Sequence, residues 1–128
     1  MSVRDVVQAA AGVGGGGEYV EDVFSTYLYD GNGSARSINN GLYLEGEGGL
    51  VWIKSRSNSA GHAIFDTSRG AGHLLRSNNA DAENYTADTQ KTLTAFNSNG
   101  FSLGTDSGNW GANFNNYTYA SWSFRKSP

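Results

Sequence analysis

Thr118-Tyr119-Ala120-Ser121-Trp122-Ser123-Phe124-Arg125 is the stretch that decides the fold class. Ala120, Trp122 and Phe124 fall on one side of an extended chain, and Tyr119, Ser121 and Ser123 on the other. That period of two fits a strand and does not fit a helix. Its place at the end of the sequence makes it the expected closing strand of a sheet assembly.

Upstream, short runs of the same kind are separated by turn signals. Val23 to Tyr29 is rich in aromatic and β-branched residues and ends at Asp30-Gly31-Asn32-Gly33, with Ala35 to Asn39 as the expected hairpin partner. Leu42-Tyr43-Leu44 is a short apolar segment. Leu50-Val51-Trp52-Ile53-Lys54 is a nearly continuous apolar run, as in a strand covered on both faces, which places Trp52 in the core. His62 to Phe65 and Gly72 to Arg76 are further strands, and the polar stretch from Asn78 to Asp88 reads as a surface loop. Thr92 to Phe96 and Phe101 to Gly104 flank Asn97-Ser98-Asn99-Gly100, the clearest hairpin signal in the chain. Regular short strands without intervening helices indicate an all-β antiparallel sandwich over residues 18–128. Jelly-roll connectivity is the expected variant.

Length and composition agree. The chain has 128 residues, enough for one domain, with 18 glycines and one proline, a composition that suits turns between strands rather than helices. There is no cysteine, so neither a disulfide framework nor a thiolate metal site is available. The formal charge of -3 comes from scattered residues, which argues against nucleic acid as a partner. No apolar run reaches the length of a membrane span, and the start of the chain lacks the apolar core of a cleaved signal.

The first eleven residues are different. Val3, Val6, Val7 and Ala10 recur at the spacing of one helix face, and Ser2 with Asp5 has the form of a capping box. A helix this short is marginal alone, so it is either a frayed terminus or a segment that docks on a partner, and docking or oligomerisation is the expectation for residues 1–11. Residues 12–17, Gly12-Val13-Gly14-Gly15-Gly16-Gly17, form a tether; they lack the preceding strand and the Lys-Ser or Lys-Thr pair of a phosphate-binding loop.

Candidate chemistry is sparse. His62, Asp66, Arg69 and His73 lie close in sequence and Ser68 lies among them, but no elbow motif supports a nucleophile, and Asp66 with Arg69 reads better as a turn residue and its charge partner. Glu45 and Glu47 sit on a glycine-flanked loop and lack the setting of a glycosidase pair. No catalytic residue, cofactor or metal ligand set is assigned; a calcium in the loop Asp106 to Asn109 is the one cation reading that hard oxygen ligands would suit. The stretch Ser107 to Tyr117 interleaves aromatic residues with amides, the chemistry of sugar recognition, which makes Asn109, Trp110, Asn113 and Asn115 the candidate glycan-binding residues. Against that stands the reading in which Trp110 and Phe114 turn inward and plug the end of the sandwich.

Several segments together resemble a known domain type: Tyr19-Val20-Glu21-Asp22-Val23-Phe24-Ser25-Thr26-Tyr27-Leu28-Tyr29, Gly48-Gly49-Leu50-Val51-Trp52-Ile53-Lys54, Phe65-Asp66-Thr67-Ser68-Arg69-Gly70-Ala71, Leu93-Thr94-Ala95-Phe96-Asn97-Ser98-Asn99-Gly100-Phe101 and Ser121-Trp122-Ser123-Phe124-Arg125-Lys126. They are similar to a domain of virion structural and tail-fibre-like proteins of marine bacteriophages, related in architecture to concanavalin A-like lectin sandwiches. The resemblance implies a non-enzymatic virion component, tail-fibre or capsid-associated, assembled in the host cytoplasm. Its implied partners are other virion proteins and copies of itself, a trimer by analogy with fibres. It implies no catalytic residue, and sugar binding does not follow from a lectin-like fold. The alternative it leaves is an adhesin domain that binds host-surface glycans.

Overall fold

The structure is a computed structural model that describes residues 19–85 and 91–126. The elements run α1 (Val20–Val23), β1 (Phe24–Asp30), β2 (Arg36–Asn39), α2 (Leu44–Glu47), β3 (Gly49–Ser55), β4 (Ala63–Asp66), β5 (His73–Leu74), β6 (Asn84–Tyr85), β7 (Leu93–Asn97), β8 (Gly100–Leu103) and β9 (Thr118–Arg125). The docking segment 1–11, with Val3, Val6, Val7 and Ala10, and the tether 12–17 lie outside the described residues.

The chain forms an all-β antiparallel sandwich. One sheet has the order β1-β9-β3-β4, the other β2-β8-β7, and β5 pairs with β6 as a small ribbon. A bridge between Ile64 and Leu75 joins that region to the edge at β4.

The last strand, expected to close the sandwich, does so from inside a sheet and not at an edge. β9 pairs with β1 on one side and β3 on the other, so it lies inside the four-stranded sheet. Nor is Ala35–Asn39 the hairpin partner of β1, because β2 pairs with β8 in the opposite sheet. The turn between them is the cause. Gly31 donates its backbone N–H to the Tyr117 carbonyl at 2.7 Å, and a Cβ there would meet the Phe114 carbonyl oxygen at 2.2 Å. With Gly31 pressed against residues 113–117, the chain crosses to the second sheet and leaves a slot beside β1 that β9 fills.

The facing of β9 also departs from the usual rule that the apolar side of an antiparallel strand goes inward. Tyr119, Ser121 and Ser123 are buried, while Trp122 is half-buried and Phe124 is 43% exposed. The buried serines find partners: Ser121 Oγ donates to the Tyr27 carbonyl and Ser123 Oγ accepts from the Asn40 amide. Small hydroxyls fit beneath the bulky residues of the facing layer, and their hydrogen bonds remove the desolvation cost. Trp52 is corrected on the same grounds. In β3, Val51 and Ile53 face the core, whereas Trp52 lies on the outer face and is half-buried.

The core sits between the sheets. Val51, Ile53, Phe65 and Tyr119 from one layer meet Ile38, Phe101, Leu103 and Leu93 from the other, with Leu44 from α2, Leu74 from β5, and Leu42 and Ala112 from loops. Full burial of each large aliphatic or aromatic side chain contributes about 1.5–3 kcal/mol. The hairpin expected around Asn97–Gly100 is present as β7 and β8. The polar stretch from Asn78, expected as a surface loop, contains β6.

Candidate functional site

The loop that precedes β9 is built around two buried polar side chains. Asp106, fully buried, accepts backbone N–H groups from Trp110 and, at 2.9 and 2.8 Å, from Ala112 and Asn113. Its own φ of 47° is one an aspartate tolerates in the left-handed region. Both oxygens are thus occupied by the loop they organise. The calcium reading is corrected on this ground: Asp106 ties the loop internally, and no cluster of three acidic or imidazole side chains suited to a metal occurs among the described residues.

Asn113 is equally buried and acts as a clasp. Its Nδ2 donates to the carbonyls of Ser34 at 2.8 Å and Gly104 at 2.9 Å, and its Oδ1 accepts the Asn32 N–H at 3.2 Å. With both amide protons in use and the side chain fully buried, Asn113 presents no group at the surface to a sugar hydroxyl and is removed from the glycan candidates. Trp110 packs against the core from a half-buried position, following the inward reading, and its carbonyl accepts from Arg76. Asn109, half-buried, accepts from Asn58 at 3.5 Å, and Asn115 is exposed. The four candidates therefore do not form one surface.

Of the candidates around Asp66, Arg69 joins Asp66 directly and His73 through Glu83 in one chain of charged contacts, while His62 stands apart. Asp66 accepts both the backbone N–H of Arg69 at 2.8 Å and its guanidinium at 2.6 Å, as a turn residue with its charge partner. Burial works against the Asp66 charge, but the Arg69 hydrogen bonds outweigh it and hold the carboxyl below its ordinary value of 3.8. Glu83 bonds His73 at 3.1 Å and Arg69 at 3.3 Å, contacts that hold its carboxyl below the usual range as well. His62 is engaged elsewhere: its Nδ1 accepts the Trp52 indole N–H at 2.8 Å. Ser68 is exposed.

The feature that stands out lies on the outer face of the four-stranded sheet. Strand register sets Phe24 beside Phe124, and Trp122 beside Trp52, on the side opposite the core. Together with His62 these four rings line an open cleft of about 310 Å³. The rings are mutually ordered, with Phe24 and Phe124 centroids 5.0 Å apart, and Trp52 edge-on to both Trp122 at 6.1 Å and His62 at 5.6 Å. Such tilted and edge-to-face pairs hold the rings in place. Leu28, on the same face of β1, is 62% exposed. The Trp52 indole donor is already satisfied by His62, so the cleft offers a partner apolar surface and almost no polar handle.

The sequence held a signal for this surface. The alternation in β9 separates Trp122 and Phe124 from the serines, but it does not say which side is inside. Only the pairing of β9 between β1 and β3 gathers aromatic residues from three strands into one patch.

One family model matches the chain, over residues 20–128, described as a domain of unknown function (DUF7483). The chain belongs to that family. No curated protein and no solved structure matches it.

Proposed function

We propose that the protein is a non-enzymatic structural subunit of a bacteriophage virion, tail-fibre or capsid-associated, with a jelly-roll, concanavalin A-like connectivity, anchored by its N-terminal segment. The observation that carries the interaction reading is the aromatic cleft of Phe24, Trp52, Trp122 and Phe124. An antiparallel sheet facing water normally carries polar residues on its outer side. A contiguous apolar patch in that position is a docking surface for another protein. The virion setting is supported by the sequence resemblance alone. The titratable groups with specific partners support a non-catalytic reading, since Asp66 and Arg69 shape a turn and Asp106 organises a loop. Mass spectrometry of purified particles of the encoding phage tests the setting directly: the chain is expected among the stoichiometric components, and its absence from particles overturns the proposal.

The adhesin alternative gains one observation, the two tryptophan rings that border the cleft, since exposed indole faces stack on sugar C–H groups. It moves from the Trp110 loop to the sheet face. A glycan array that shows binding by the native chain, abolished by Trp122→Ala, would favour it over the structural reading.

A further inference from the structure

We infer that the outer edge of β1 is a self-association surface, where two copies of this chain pair antiparallel about Tyr27 and join their four-stranded sheets into one. The inference goes beyond the docking role of the aromatic cleft and depends neither on that role nor on the virion setting.

A bare sheet edge is a row of unpaired N–H and C=O groups, which folds normally blunt. The other edges of the two sheets are blunted here. β4 is covered where Ile64 and Leu75 exchange backbone hydrogen bonds at 2.9 and 3.0 Å. β7 carries a register shift between Leu93 and Ala95, and β2 is only four residues long. β1 is different. It runs seven residues without proline, lysine or arginine, pairs with β9 on one side, and among the described residues has no strand on the other.

Hydrogen-bond alternation identifies what that edge offers. Gly31 donates to the Tyr117 carbonyl at 2.7 Å, in register with the β1–β9 ladder. By alternation Tyr29, Tyr27 and Ser25 bond β9, while Phe24, Thr26, Leu28 and Asp30 turn their backbone groups outward. The two ends of that row are already in use: the Phe24 N–H donates to the Val20 carbonyl of α1, and the Asp30 carbonyl accepts from the Arg36 guanidinium at 2.6 Å. What stays bare is the Phe24 carbonyl, both groups of Thr26 and Leu28, and the Asp30 N–H. Thr26, Tyr27 and Leu28 are also the exposed run of the strand.

This row is complementary to itself. Antiparallel pairing centred on Tyr27 sets Thr26 of each copy opposite Leu28 of the other, where they exchange both hydrogen bonds, and gives each Asp30 N–H the Phe24 carbonyl of the other copy. The groups used within each chain, the Phe24 N–H and the Asp30 carbonyl, would otherwise have met each other, so no bare group is left over. Side chains follow the same register. Tyr27, 37% exposed, meets its own copy across the closely spaced kind of pair, a favourable aromatic contact, and Leu28, 62% exposed, packs beside Thr26. The joined sheet carries both aromatic clefts on one continuous face, which makes the dimer bivalent toward whatever the clefts bind.

Sedimentation of the full chain at rising concentration reads the association, and a dimer is the expected species. Thr26→Pro removes an outward N–H that the β1–β9 ladder does not use, so the sandwich tolerates it while the edge is spoiled on both copies. The dimer is expected to weaken at least about tenfold. Leu28→Lys puts a charge on the edge and is expected to act alike; it serves where circular dichroism shows the proline variant unfolded. Register is read separately. The chain has no cysteine, and Tyr27→Cys sets two thiols across a pair with Cα atoms about 4.5 Å apart, inside the roughly 4.4–6.8 Å that a disulfide spans. Mild oxidation is expected to link Tyr27→Cys chains at least about tenfold faster than Ser37→Cys, an exposed position of β2 in the other sheet. A native chain that stays monomeric at every concentration, a trimer, a dimer that folded Thr26→Pro or Leu28→Lys leaves at native strength, or equal linking of the two cysteine variants would each overturn the inference. None of these outcomes depends on whether the chain is found in particles.

Discussion

Asp106 shows how a residue that looks like a ligand serves the fold. Its carboxylate accepts three backbone N–H groups, and replacing it with alanine leaves those donors buried without partners. Asp106→Ala is expected to lower stability by about 3 kcal/mol or more, read as a shift in the urea midpoint. Asn113→Ala removes the clasp between the turn at Asn32 and the Asp106 loop and is expected to cost about 2–4 kcal/mol. Charge states at single residues set the pH limits. Asp66 has a folded-state pKa below its unfolded 3.8, so its contribution is complete above the unfolded value and is lost as pH falls through the folded one. Asp66→Asn should therefore be less stable than the native chain at neutral pH, with the gap closing in urea titrations as pH falls below the ordinary 3.8 and through the lowered folded value. At the alkaline end, burial pushes the Tyr119 hydroxyl up to about 12, and burial together with the neighbouring Tyr119 raises that of Tyr29 well above its ordinary 10. Their contribution is complete below pH 10 and declines as pH rises through the folded values, so ultraviolet titration should find two tyrosines ionising late or only on unfolding.

At the scale of elements, most strands were legible, and apart from the β7–β8 hairpin their partners were not. The period of two in Thr118–Arg125 and the turn chemistry of Asn97–Gly100 are local properties, and both elements stand where the sequence places them. Pairing is decided by contacts distant in sequence, such as Gly31 against residues 113–117, which sends β2 to the other sheet. The inward serines of β9 were illegible for a related reason: which side faces the core depends on which strands flank it. In the loop before β9, residue type alone could not separate amides facing water from an amide such as Asn113 that is consumed inside. The β7–β8 hairpin also depends on close approach to β2, because a Cβ on Gly100, at φ 142°, would meet the Ile38 carbonyl oxygen at 2.0 Å. Gly100→Ala should lower stability by about 1–3 kcal/mol and weaken amide-exchange protection in β2 and β8, while the four-stranded sheet keeps its protection.

For the whole molecule, the two sides of the four-stranded sheet do different things. The inner side closes the core against the second sheet, with its serines satisfied in place. The outer side collects aromatic residues from β1, β3 and β9 that the core does not use. Because Trp122 and Phe124 are partly exposed, truncating them leaves the packing between the sheets intact. The central claim is that this face is what the protein presents to its partners, and one measurement tests it most directly. The Trp122→Ser, Phe124→Ser double variant, shown by circular dichroism to be folded, is produced during phage growth alongside the native chain, and the content of each in purified particles is measured by mass spectrometry. The variant is expected to be depleted at least about tenfold relative to the native chain, the loss that roughly 1.4 kcal/mol of docking free energy produces. Incorporation of the folded variant at the native level would contradict the account.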